Sequence, residues 1–184
     1  MSYKIITDPS RVNRTEWDTF ILNHPKGNIF QTSAMYEVYK KTKNYEPIFI
    51  AVIDKNNEVL SVMLAVIQKE FNGILGEFTA RSIIFGGPLI KDNNAVVLNI
   101  ILKEYGKIVK KKVIYSQFRN FTNWRNLKDI FLKNGFEYEE HLNILVDLNK
   151  GDEELWDNLS QSKRRGIRKF KNKKLSIIEA KNKS

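Results

Sequence analysis

The 184-residue sequence has no cysteine, only two histidines and no long hydrophobic run. Without cysteine the chain has no disulfide, no thiolate metal ligand and no cysteine nucleophile, which fits a reducing cytoplasm. Zinc would have to be bound by His24, His141 and carboxylates alone. The longest apolar run, residues 59–67, falls well short of the ~18 residues that a membrane-spanning helix requires. These absences argue against disulfide-stabilised, zinc-thiolate and membrane-spanning classes of protein.

Positive charge is concentrated at the C-terminal end of the chain. The formal net charge is +10, and residues 161–184 contribute +9 of it, so the preceding 160 residues are almost neutral. A local basic segment beside a neutral body predicts an anionic partner, which is a phosphate group, a nucleic acid or an acidic lipid surface. A solvated surface helix is the simpler alternative.

The fold class follows from the apolar patterns. Hydrophobic residues make up 42% of the sequence, enough for a well-buried domain of this length. The patterns predict about six strands interleaved with five helices, that is, a mixed α/β domain whose sheet is covered by helices. Three predicted elements are C-terminal: a long strand over residues 136–148, a long basic helix from Asp152 to about Lys173, and the beginning of a strand at residues 175–178.

Three groups of residues are candidates for binding phosphate. In the basic helix, Arg164 and Arg165 present guanidinium groups, which bind phosphate oxygens bidentately, while Ile167 and Phe170 are expected to be apolar anchors. The Gly86-Gly87-Pro88 turn follows a predicted strand, and its glycines allow close backbone approach to an anion. Lys40 ends a predicted helix and could reach a ligand phosphate. A tight turn and a surface lysine are the structural alternatives.

Four segments occur together in an order that is typical of one family. They are NIFQT at residues 28–32, SIIFGGPL at residues 82–89, residues 135–148, and the basic segment at residues 155–169. Together they resemble the FemA/FemB/FemX family of peptidoglycan bridge aminoacyltransferases. The resemblance implies two tandem GNAT-like domains. Residues 1–184 are then expected to be the first domain, with the basic helix at residues 152–174 leading toward a second one.

The resemblance also implies a reaction and its binding residues. Such enzymes take an amino acid from aminoacyl-tRNA and acylate an amine of a peptidoglycan precursor, through a tetrahedral state. By position, Lys40 and Arg164 correspond to residues that hold the precursor's diphosphate, and Arg165 is a nearby alternative. Gly86 and Gly87 correspond to the family's substrate-cleft loop. The implied location is the cytoplasm, at the inner face of the membrane.

The sequence leaves the catalytic residues unassigned. Some family members have an acidic residue soon after the Gly-Pro pair, but here Lys91 intervenes before Asp92. We expect no cofactor. Ordinary GNAT acetyltransferases hold the pyrophosphate of acetyl-CoA with an Arg/Gln-x-x-Gly-x-Gly/Ala loop, and the nearest string, residues 163–168, does not match it at either end.

Two alternatives remain open at the level of sequence. In the first alternative, the chain is a non-catalytic basic module that binds nucleic acid or another polyanion. In the second, it is an inactive fragment of an aminoacyltransferase. Aromatic residues interleaved with the charges would favour nucleic acid, and only Phe170 lies in the basic segment. Because no acid/base pair is visible, we expect the chain alone to bind an anion without turnover.

Overall fold

The structure is a computed structural model that describes residues 3–71, 73–142, 146–173, 176 and 178. The chain divides into two compact units, residues 1–141 and residues 142–184. The first unit contains a mixed sheet with flanking helices. The second contains two helices, α6 (Asp152–Asp157) and α7 (Gln161–Asn172).

The sheet of the first unit confirms the predicted mixed α/β class. Its strands are β1 (Lys4–Ile6), β2 (Tyr45–Ile53), β3 (Val59–Gln68), β4 (Arg81–Phe85), β5 (Leu89–Ile90) and β6 (Tyr115–Arg119). Their order is β1-β2-β3-β4-β6, and β5 also pairs with β3. All the pairs are antiparallel except β4 with β6, which are parallel. A parallel pair needs a crossover, which the helix at residues 95–109 supplies.

Three helices of the first unit begin at side-chain caps. The helices are α1 (Arg14–Asn23), α2 (Ser33–Lys41), α3 (Ile74–Glu77), α4 (Ala95–Val109) and α5 (Lys128–Lys133). Asn13, Thr32 and Asn94 precede α1, α2 and α4, and their side-chain oxygens accept backbone N–H groups of the first turn. Asn13 also stands three residues before Glu16, which is the spacing from which the sequence predicts a helix N-cap.

The core lies on both faces of the sheet. Ile50 and Met63 face the side covered by α4, where they pack in one cluster with Leu98. Phe49 faces the opposite side, where its ring centroid lies 4.3 Å from that of Trp17 on α1. Because both faces are covered, the central strands β2 and β3 are almost continuously apolar instead of alternating.

The strand predicted over residues 136–148 is wrong for the part of it that the structure describes. Residues 136–142 and 146–148 form no strand. Alternate side chains still enter the core: the ring of Phe136 lies 5.0 Å from that of Phe118, and Tyr138 packs against the same cluster. The period of two in this segment therefore reflects burial of alternate side chains and not pairing in a ladder.

The single long basic helix is also not observed. The structure has α6 and α7 in its place, separated by residues 158–160. Ser160 has an extended backbone and directly precedes α7. This is the N-cap position, where serine is favoured. The strand expected at residues 175–178 falls in a segment of which only Ser176 and Ile178 are described. No helix in the described ranges has the length and apolar character needed to cross a bilayer.

Candidate functional site

The candidate site is built around an interruption of the sheet. β3 pairs with β4 up to Val66↔Ile83 and pairs with β5 from Val62↔Leu89. Residues 63–65 of β3 therefore lie opposite residues 84–88, which connect the paired part of β4 to β5. Five residues thus face three. The excess is taken up by the Gly86-Gly87-Pro88 turn, which leaves the plane of the sheet as a bulge does.

A buried side chain fills the hydrogen-bonding gap that the turn leaves. Gln31 is fully buried, and its Oε1 accepts from the N–H of Leu64 at 2.7 Å. Its Nε2 donates to the carbonyls of Leu64 at 3.1 Å and Phe85 at 2.8 Å. The amide of Gln31 thus takes the place of a strand residue opposite Leu64. The sequence pattern contained Gln31 only as part of the NIFQT motif and assigned it no role.

The two glycines of the turn are required by its backbone and by its neighbours. Gly86 and Gly87 have φ angles of 76° and 75°, in the left-handed region that favours glycine. The N–H of Gly86 donates to the carbonyl of Arg119 at 2.9 Å. A Cβ on Gly86 would lie 2.2 Å from Nδ2 of Asn28, and one on Gly87 would lie 2.4 Å from Oδ1 of Asn120. The turn is therefore packed tightly, and its role as an anion donor stays a prediction.

A lysine beside the turn was not selected from the sequence. Nζ of Lys26 lies 4.2 Å from the ring centroid of Trp124, and it donates to Oδ1 of Asn93 at 3.0 Å. Partial burial lowers the pKa of Lys26. Trp124 also lies 3.4 Å from the position that a Cβ on Gly87 would occupy. Lys26 thus adds a cation close to the turn. Since its neighbours are far away in sequence, no local signal identified it.

The structure places the predicted phosphate-binding residues in three locations. Lys40 is exposed near the C-terminal end of α2, seven residues beyond Ser33 at the beginning of that helix, which corresponds to about 10 Å of helix. Arg164 and Arg165 lie on α7 of the second unit, where Nη1 of Arg164 is 3.6 Å from Oδ1 of Asp157. Among the five candidates, Gly86 and Gly87 are adjacent. A cleft shared by Lys40, Arg164 and the turn remains a prediction.

The segment after the turn shows no acid/base pair. A shallow pocket at the beginning of α4 is lined by Leu60, Lys91, Asp92, Asn94 and Val97. Asp92 is exposed with a φ angle of 54°, and Lys91 forms an ion pair with Glu58. Within the described part of the chain, no group of three His, Asp or Glu side chains is arranged to bind a metal.

Comparison with known families identifies the group to which the chain belongs. The sequence model of the FemAB family matches residues 12–126, more than half of the chain. The chain belongs to the FemAB family. The FemAB match includes Gln31, Lys40 and the Gly86-Gly87-Pro88 turn, and it ends before α7. A comparison with curated proteins found no significant match.

Solved structures similar to this FemAB chain include acetyltransferases of the GNAT fold. An acetyltransferase of Trypanosoma brucei superposes with a TM-score of 0.55 at 10% identity, over 80% of this chain and 100% of the other. The aminoglycoside 6'-N-acetyltransferase AAC(6')-Ih of Acinetobacter baumannii gives 0.52 at 9%, over 79% and 98%. Glucosamine-6-phosphate N-acetyltransferase of Arabidopsis thaliana gives 0.51 at 10%, over 80% and 100%. At these identities the likeness establishes the GNAT-like fold.

Proposed function

We propose that this FemAB chain takes part in the transfer of an amino acid from aminoacyl-tRNA to an amine of a peptidoglycan precursor, in the cytoplasm at the inner face of the membrane. Family membership and a GNAT-like fold together support an acyltransferase-type function. The observation that carries the proposal is the family match over residues 12–126, which spans both Gln31 and the turn that Gln31 shapes.

In the proposed reaction the acceptor amine attacks the ester carbonyl of the aminoacyl-tRNA. A C–N bond forms, the ester C–O bond breaks, and the ribose hydroxyl leaves with the proton that the amine gives up. The transition state needs the two substrates held against each other and donors for the developing oxyanion. Lys40 and Arg164, with Arg165 as the alternative, are the residues that we assign to the precursor's diphosphate, because guanidinium and ammonium groups match its charge.

Replacing Arg164 by alanine is expected to weaken binding of a diphosphate-linked precursor peptide by about 1.5–3 kcal/mol, the scale of hydrogen bonds to charged groups. This corresponds to an increase of about 10- to 150-fold in Kd. Titration calorimetry at one fixed salt concentration measures it, and Lys40→Ala should act in the same direction. Lys103→Ala is the control, because it removes an exposed charge from α4.

Two results would contradict this assignment. One is an equal loss of affinity in Lys103→Ala and Arg164→Ala, which would indicate long-range charge attraction only. The other is unchanged affinity when the precursor lacks its diphosphate.

In a parallel incubation with charged aminoacyl-tRNA and precursor peptide, we expect binding without turnover. Transfer by the chain alone would show that one domain is sufficient.

The GNAT-like fold raises the possibility of acetyl-CoA as the acyl donor, and we expect no such binding. Residues 163–168, the string nearest to the pyrophosphate-binding loop of ordinary GNAT acetyltransferases, do not match that loop at either end. Calorimetric titration with acetyl-CoA should give only the heat of dilution, whereas binding at micromolar concentration would contradict the expectation.

One observation favours the alternative of a nucleic-acid-binding module. Phe170 and Ile167 were expected to be apolar anchors, but their exposed fractions are 37% and 36%. An exposed aromatic ring among Arg and Lys side chains can stack on a base. Titration with uncharged tRNA separates the two functions: saturable binding that Phe170→Ala weakens, without any binding of the precursor, would favour the module.

A further inference from the structure

Three loops meet at one end of the sheet in the first unit. Tyr45, Gln68, Arg81 and Tyr115 pair in one row across β2, β3, β4 and β6. The segments that enter β2 and β6, and the whole connection from β3 to β4, therefore leave the sheet at this end. We call it the loop end, and it comprises the described residues 41–44, 69–71, 73–80 and 110–114.

Backbone hydrogen bonds join the loops to one another. The N–H of Lys69 donates to the carbonyl of Asn44 at 3.0 Å, and the N–H of Ile114 donates to the carbonyl of Ala80 at 2.8 Å. The Gly86-Gly87-Pro88 turn follows the opposite end of β4. The loop end is thus one connected surface, separated from the candidate site by the length of a strand.

Large apolar side chains are exposed on the loop end. Phe71, Leu75, Phe78 and Ile114 have 55%, 68%, 73% and 64% of their surface accessible. Single exposed apolar residues are normal, but several on one connected surface indicate a binding partner. The partner must therefore offer an apolar phase or an apolar surface.

The same loops carry an excess of positive charge. Five lysines of the loop end take part in no ion pair within the described residues: Lys41, Lys43, Lys69, Lys110 and Lys111. Of the acidic residues there, Glu70 is paired with Arg81 at 3.5 Å, and Glu77 remains exposed. The partner is therefore expected to be anionic as well as apolar.

We propose that the loop end docks on an anionic lipid bilayer, with Phe71, Leu75 and Phe78 inserted among the acyl chains and the lysines at the headgroups. Surfaces that combine apolar and Lys side chains bind at the membrane interface in this way. RNA is the other polyanion to consider, because Phe71 and Phe78 are able to stack on bases, but Leu75 and Ile114 have no aromatic face and are satisfied only by an apolar phase. The proposal goes beyond the reaction above, and it relies on that function only for the cytoplasmic leaflet.

Vesicle co-sedimentation of the full chain tests the docking surface. We expect binding to vesicles of phosphatidylglycerol and phosphatidylcholine, and much weaker binding to phosphatidylcholine alone. Phe71→Ser combined with Phe78→Ser should reduce the apparent affinity at least tenfold. Lys110→Gln combined with Lys111→Gln should reduce it about 30-fold, from ~1 kcal/mol for each lysine. The matched control is Leu22→Ser, which removes an 84% exposed apolar side chain from α1.

A fluorescent reporter distinguishes insertion of the loop end from attraction of the basic α7. In Phe78→Trp, lipids brominated on the acyl chain should quench the new indole beyond the quenching of the wild-type chain, in which Trp17 and Trp124 are buried and Trp156 of α6 is partly exposed. Vesicle binding without extra quenching, or with full affinity in the double Phe variant, would overturn the proposal. So would loss of RNA binding, and not of vesicle binding, in that variant. Precursor binding is measured separately, so failure of docking leaves the proposed function standing.

Discussion

Replacing Gln31 by methionine is expected to lower the free energy of unfolding of the first unit by about 3 kcal/mol. Methionine keeps the length and approximate volume of the side chain, so the loss reports hydrogen bonds and not a cavity. The N–H and carbonyl of Leu64 lose their partner in a fully buried position, and the carbonyl of Phe85 loses a donor. Each buried group left without a partner costs about 1–3 kcal/mol.

Urea unfolding measures this effect in a Trp156→Phe background, where the fluorescence comes only from the buried Trp17 and Trp124 of the first unit. Gln117→Met is the matched control, because Gln117 is exposed on β6 and its Oε1 accepts from Nε of Arg119 at the surface. We expect that control to change stability by less than about 0.5 kcal/mol. Equal stability of Gln31→Met and the wild type would mean that the amide of Gln31 does not bridge the gap between β4 and β5.

Replacing Gly86 by alanine is expected to destabilise the first unit by about 2–4 kcal/mol. A left-handed backbone costs a non-glycine residue about 1–2 kcal/mol. The new Cβ would also lie 2.6 Å from Cγ of Asn28, which therefore has to move. That movement breaks two hydrogen bonds of the Asn28 side chain. In one it accepts from the N–H of Phe30 at 3.1 Å, and in the other it donates to the carbonyl of Lys26 at 3.2 Å.

In the control for this prediction, the expected change in stability has the opposite sign. Gly106 lies inside α4, and a Cβ there would meet no atom within 4 Å. Gly106→Ala should therefore stabilise the chain by about 0.5–1 kcal/mol, because alanine loses less backbone entropy in a helix. The two variants are compared in the same urea unfolding experiment. A neutral Gly86→Ala would show that the turn relaxes away from Asn28 without loss.

Much of the first unit could be predicted from its sequence. The mixed α/β class, the strand that precedes the Gly86-Gly87-Pro88 turn, the helix that ends near Lys40 and the turn itself all occur as apolar periodicity and glycine predicted. The prediction failed at residues 136–148, where alternating apolar and polar residues were interpreted as a strand. Phe136 and Tyr138 alternate because they pack against the core, and no neighbouring strand is paired with them in the described residues.

The candidate site was predicted less completely than the fold. The sequence indicated Gly86 and Gly87, whose type alone suggests an unusual backbone. It did not indicate Gln31 or Lys26, because glutamine and lysine are common in any segment and only their distant partners give them a role. The apolar loop end was missed for the same reason, since Phe71 and Phe78 resemble core residues until their exposure is known.

By itself, the sequence determined the mixed α/β class, the cap at Asn13, the left-handed turn and the local concentration of positive charge. These features depend on residues close together in the chain, so local propensity and spacing are sufficient. Only the tertiary structure decided that Gln31 bridges to a strand 33 positions away and that Lys26 reaches Asn93, 67 positions away. Such contacts depend on how the helices pack on the sheet, and that packing is a property of the whole core and not of any one segment.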